Sequence, residues 1–82
     1  MSIGEVKSPD EISFAYLEYR KSFGQRVRTI RKKNGLSQEE LADRSKLHRN
    51  YISDVERGRR NLSLDALLKL SAGLGIQLRD LF

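Results

Sequence analysis

The sequence predicts an all-α fold, a compact bundle of five or six short helices around one core, and three observations predict it. Apolar residues recur three and four apart through Ile12, Tyr16, Tyr19, Phe23, Val27 and Ile30, and again through Leu41, Ala42, Leu47, Ile52 and Val55. Helix-opening residues precede these runs, with Ser8-Pro9-Asp10-Glu11, Ser37 with Glu40, and Ser63. No stretch alternates with period two over a useful length, so nothing in the chain asks for a strand.

Taken in order, Met1 to Lys7 carries no period and is expected to be a flexible N-terminus. A helix should open at Ser8, with Pro9 in its first turn and Glu11 placed for a capping box, and 8–20 forms an N-terminal helical segment. The apolar stripe then runs on to Asn34-Gly35, interrupted by Gly24 at a cost of roughly 1 kcal/mol relative to alanine. One long helix or two with a kink near Ser22 to Gly24 would both fit, and two is the preferred reading. Ser37 and Glu40 open the next helix with a capping box. The stripe breaks over Ser45 to Leu47 and resumes on a new axis, so two short helices meet at a sharp turn, the second closing at Gly58 in a left-handed cap. Ser63 caps a helix with Leu64, Leu67, Leu68 and Leu70 on its face, ending over Gly73 to Gly75. Ile76, Leu78, Leu81 and Phe82 predict a last turn or two packed back onto it.

At 82 residues the chain is one domain whose monomeric core is marginal, which makes a partner subunit a reasonable expectation. It holds no cysteine, so disulfides and thiolate zinc sites are excluded. No apolar run approaches the roughly 20 residues of a membrane span, no signal pattern opens the chain, and a cytoplasmic protein with no membrane association is expected. The formal charge of +5 is uneven: residues 1–20 hold two basic and four acidic groups, residues 21–82 fourteen and seven. A basic body with an acidic leader suggests a polyanionic partner for the body alone.

The helix after the sharp turn presents Arg49, Asn50, Ser53, Asp54 and Arg57 away from its apolar stripe. An arginine can bracket guanine O6 and N7, and an asparagine can pair both ways with adenine, each worth roughly 1 to 3 kcal/mol of discrimination. Asp54 can accept from cytosine N4 or orient Arg49 or Arg57 a turn away. The N-terminus of the helix at Gln38 offers unpaired N–H groups to a phosphate. His48 and Asp54 fall on different faces of one short helix, so Ser53, Asp54 and His48 form no triad, and no enzymatic activity is expected. His48 reads as a surface or backbone-contacting residue, with no metal site or cofactor implied.

From Phe23 to Phe82 the chain resembles the lambda-repressor and Cro-like, XRE-type helix-turn-helix family, which includes the controller proteins of restriction-modification systems. The likeness lies in FGQRVRTIRKKNGLSQEELADRS, LHRNYISDVERGRRN and LSLDALLKLSAGLGIQLRDLF. It implies a lambda-repressor-like domain over 21–82, with 8–20 as an addition to the minimal domain. It also implies that the helix opening at His48 or Arg49 enters the major groove of double-stranded DNA. Carried over by position, the base readers are Arg49, Asn50, Ser53 and Asp54. Ser37, Gln38, His48, Tyr51, Arg57, Arg59, Arg60 and Asn61 hold phosphates. The matching positions Arg31 and Glu56 form an ion pair between the first and recognition helices in the resembling family. Lys46 stands where such turns usually have glycine, so it is left-handed at roughly 1 kcal/mol or more of strain, or the turn is more open. His48 stands at the N-cap usually held by serine or threonine.

The implied function is a homodimeric transcriptional regulator on a pseudo-palindromic operator, with recognition helix 48–57, controller-type, and no small-molecule effector. An antitoxin-like interaction protein using the leader to bind another protein is the alternative. Apolar surface for self-association has two sources, the C-terminal run Ile76, Leu78, Leu81 and Phe82, and the leader stripe Ile12, Tyr16 and Tyr19. The leader is expected to pack on its own subunit near Phe23 and Val27.

Overall fold

The computed structural model describes the backbone of residues 9–82 and, within the first helix, side chains from Ala15 onward. The expected flexible stretch Met1 to Lys7 and the Ser8 capping box lie outside the described residues. The described chain forms α1 (Pro9–Lys33), α2 (Gln38–Ser45), α3 (Arg49–Glu56), α4 (Leu64–Leu74) and a 3-10 helix (Leu78–Leu81). There are thus four α-helices and a short terminal turn, fewer than the five or six helices expected.

The missing helix boundary is the one placed near Gly24, because α1 runs through it unbroken. Gly24 serves close approach instead: a Cβ there would stand 2.6 Å from the Glu56 carbonyl oxygen and collide with that of Val55. The absent side chain lets α1 lie against the C-terminal end of α3. Gly58 meets α1 in the same way, since an added Cβ would stand 2.9 Å from the Lys21 Cα, and its φ of 74° also closes α3.

Val27, Leu41, Ala42, Ile52, Val55, Leu70, Leu74 and Leu81 fill the core, with Phe23, Ile30, Leu47 and Leu67 packed on its rim. On α4 the buried face is Ala66, Leu70, Ser71, Gly73 and Leu74, not the all-leucine face expected. Leu64 and Leu68 point outward, at 64 % and 49 % exposure. The helix is apolar on most sides, so spacing alone does not select its buried stripe; the close approach of Gly73 to Ser45 does, with an added Cβ only 2.8 Å from the serine Cβ.

The leader also departs from expectation. Tyr16 and Tyr19 are exposed and do not pack on their own subunit, because unbroken α1 carries them along its axis beyond the bundle. The terminal run, by contrast, mostly closes its own core: Leu81 is buried, Ile76 and Leu78 are half-buried, and Phe82 stays outside with its ring 5.6 Å from that of Phe23. Arg26 fastens this end to α1 by donating from Nε and Nη2 to the Asp80 carbonyl at 3.1 and 3.0 Å.

Candidate nucleic-acid interface

Two capped helices build the site. The Ser37 hydroxyl accepts from the Glu40 N–H at 3.0 Å, and Glu40 accepts from the Ser37 N–H at 3.0 Å, which satisfies donors that the first turn of α2 leaves open. These backbone and hydroxyl hydrogen bonds hold the Glu40 carboxyl below the usual range of its class. At the other end of α2, Lys46 is left-handed (φ 60°, ψ 33°), and the following N–H, of Leu47, donates to the Ala42 carbonyl at 3.0 Å. The sharp turn therefore closes as a left-handed cap built on a lysine. His48 caps α3 through Nδ1, which accepts from the Asn50 N–H at 3.1 Å. An accepting Nδ1 leaves the ring proton on Nε2, which faces away from the cap as a donor.

Arg31 and Glu56 lock this unit to α1. Arg31 Nε and Nη2 donate to the two Glu56 oxygens at 2.6 and 2.9 Å, and Nη1 donates to the Leu36 carbonyl at 2.8 Å. Gln38 Nε2 adds a fourth bond, to Glu56 Oε1 at 3.2 Å. The pair is almost dry, with side-chain exposures of 9 % and 4 %. The hydrogen bond to Glu56 raises the Arg31 pKa, burial opposes it, and the Glu56 charge raises it further, so the guanidinium stays charged. One ion pair thus joins α1, the turn after it, the start of α2 and the end of α3. The Leu36 carbonyl and Gln38 were missed in the sequence because both are reached only once the chain folds back.

The remaining candidates share one side. Arg49 and Asn50 are exposed at the first turn of α3, and Ser53 and Asp54 are half-buried one turn on. Arg49 Nε lies 3.4 Å from Glu39 Oε1 on α2, an exposed and weak pair. Asp54 pairs with Arg60, whose Nε is 3.4 Å from Oδ2, and not with Arg49 or Arg57. The Arg60 guanidinium also lies 4.9 Å from the Tyr51 ring centre. This places Tyr51, Asp54 and Arg60 in one cluster where α3 runs into its loop. Arg57 and Arg59 are exposed beside it. Asn61 is turned toward α1, its Oδ1 accepting from Arg20 Nη1 at 2.8 Å, so its amide oxygen is already engaged. Gln38 likewise spends a donor on Glu56, and Ser37 spends its hydroxyl on the cap.

Two helices joined by a tight turn, the second with a polar exposed face at its start, form the pattern matched by the helix-turn-helix family model over residues 27–81. The chain belongs to the XRE-type helix-turn-helix family. Its relatives include the control protein C.BamHI of Bacillus amyloliquefaciens, 58 % identical over 60 residues that cover 72 % of this chain and 74 % of the relative. The control protein C.MunI of a Mycoplasma species is 51 % identical over 61 residues, covering 73 % and 82 %. Among solved structures, the restriction-modification controller protein C.AhdI from Aeromonas hydrophila superposes with a TM-score of 0.78 at 51 % identity. That match covers 79 % of this chain and 98 % of the other, so about a fifth of this helix-turn-helix protein lies outside a nearly complete controller protein. The family match itself begins at Val27, inside α1.

Proposed function

We propose that this protein is a sequence-specific regulator of transcription that binds double-stranded DNA as a homodimer, with α3 in the major groove of each half of a pseudo-palindromic operator. The observation that carries the reading is the exposed first turn of α3, where Arg49 and Asn50 project ahead of the helix while Ile52 and Val55 anchor it in the core. A helix that enters a major groove N-terminus first brings those two side chains to the base edges. Ser53 and Asp54 follow one turn behind, and Asp54 is steadied by Arg60.

Around that helix, His48 Nε2, Tyr51, Arg57, Arg59 and Arg60 supply donors to the flanking phosphates, and the open N–H groups at Ser37 and Gln38 supply another anchor. The resemblance to control proteins favours a regulator of that kind. Selection of bound duplexes from a random DNA pool tests the proposal. Two inverted half-sites with centres about 34 Å apart, or a multiple of one helical turn, are expected. Recovery of unrelated sequences would overturn sequence-specific readout, and recovery of an unrepeated half-site would overturn the homodimer.

A further inference from the structure

An apolar groove of about 540 Å³ runs between α1 and the C-terminal elements, walled by Tyr19, Phe23, Leu62, Leu67, Leu81 and Phe82. Phe82 is 73 % exposed at its edge. Along α1 the groove continues onto Tyr16 and Tyr19, 59 % and 70 % exposed. These positions sit three to four residues apart with Phe23, so they form a single stripe. Arg20 also lines the groove, and its Nε is shut off from water with no hydrogen-bond partner among the described residues.

The charge order of α1 says what fits there. Its residues 9–19 include Asp10, Glu11 and Glu18 and no basic residue. Its residues 20–33 include Arg20, Lys21, Arg26, Arg28, Arg31, Lys32 and Lys33 and no acidic residue. A helix acidic in its first half and basic in its second is complementary to a copy of itself laid antiparallel, and repels a parallel copy.

We infer that the groove takes the α1 helix of a second copy of this chain, the two helices running antiparallel about a two-fold axis near Tyr19. A two-fold contact is self-complementary, so each interaction occurs twice. Centring it at Tyr19 sets Glu18 of each copy beside Arg20 of the other, and brings each Tyr16 to the other copy's Phe23 and Phe82. This deepens the homodimeric reading and rests on it, by assigning the contact to the part of α1 that lies ahead of the helix-turn-helix match.

The test uses the full chain, which has no cysteine of its own. Under mild oxidation Tyr19→Cys should give a disulfide-linked dimer and Leu68→Cys should not. In sedimentation experiments Glu18→Arg and Arg20→Glu should each raise the self-association Kd at least about tenfold, and the double exchange should restore it. Linkage through Leu68→Cys with none through Tyr19→Cys would overturn the α1 contact and move the dimer to α4, while leaving operator selection intact. Unchanged Kd values for both single exchanges would overturn it as well. A wild-type chain that stays monomeric both free and on its selected DNA would instead remove the homodimeric reading, and linkage of Tyr19→Cys only to a different protein would assign the groove to that partner.

Discussion

Truncating Glu56 to alanine would leave the Arg31 guanidinium almost dry, with the Leu36 carbonyl as its one remaining acceptor. Losing one partner of such a pair costs roughly 3 to 5 kcal/mol, although the intact pair can add little over apolar replacements. Glu56→Ala should therefore lower the melting temperature sharply, and an unchanged value would show that water reaches the pair. Lys46 tests the opposite sign. Its left-handed backbone carries about 1 kcal/mol of strain that glycine lacks, while glycine adds entropy to the unfolded chain. Lys46→Gly should be neutral or stabilising by up to about 1 kcal/mol in chemical denaturation. At the proposed interface, Arg49→Ala should weaken binding to the selected operator far more than to random DNA, whereas Arg60→Ala should weaken both. Because Arg60 also steadies Asp54, its loss should add a smaller drop in discrimination. Equal effects of the two variants on both DNAs would remove the distinction between reader and anchor.

At the scale of the element, α1 depends on a missing side chain. Gly24→Ala gains roughly 1 kcal/mol of helix propensity but drives a methyl group into the carbonyl ends of α3, where backbone and not a flexible side chain must move. Net destabilisation of about 1 to 3 kcal/mol is expected by denaturant titration, with loss of operator affinity as α3 tilts. Helix α2 depends on its cap, and the cap titrates. The Glu40 carboxyl has a folded pKa depressed below its ordinary value of 4.5, so its contribution is present above that value and is lost as pH falls through the lower folded value. The stability difference between wild type and Glu40→Ala should accordingly be full at neutral pH and shrink below about pH 4. A difference independent of pH would show that the carboxylate is not what closes the cap.

For the whole molecule, the uneven charge sets the response to salt. A basic body that neutralises phosphates releases counterions, so log affinity should fall linearly with log salt concentration. Arg59→Ala should reduce the steepness by about one unit, because one phosphate is then left without its neutralising arginine. A flat titration for the wild type would argue against phosphate neutralisation.

Much of this architecture was legible in the chain. Ser37 with Glu40, Gly58, Ser63 and Gly75 act through neighbours a few residues away, so their capping hydrogen bonds are written in local order. The core stripe of Leu41, Ile52 and Val55 followed from helical period for the same reason. Contacts distant in sequence were decided only by tertiary packing: whether Gly24 bends α1 or admits α3, which stripe of a nearly all-apolar α4 is buried, that Asp54 meets Arg60, and that Tyr16 and Tyr19 remain outside. Spacing along one helix specifies which residues share a face, but the choice among several apolar faces depends on the partner surface brought against it, and that surface exists only once the helices have met.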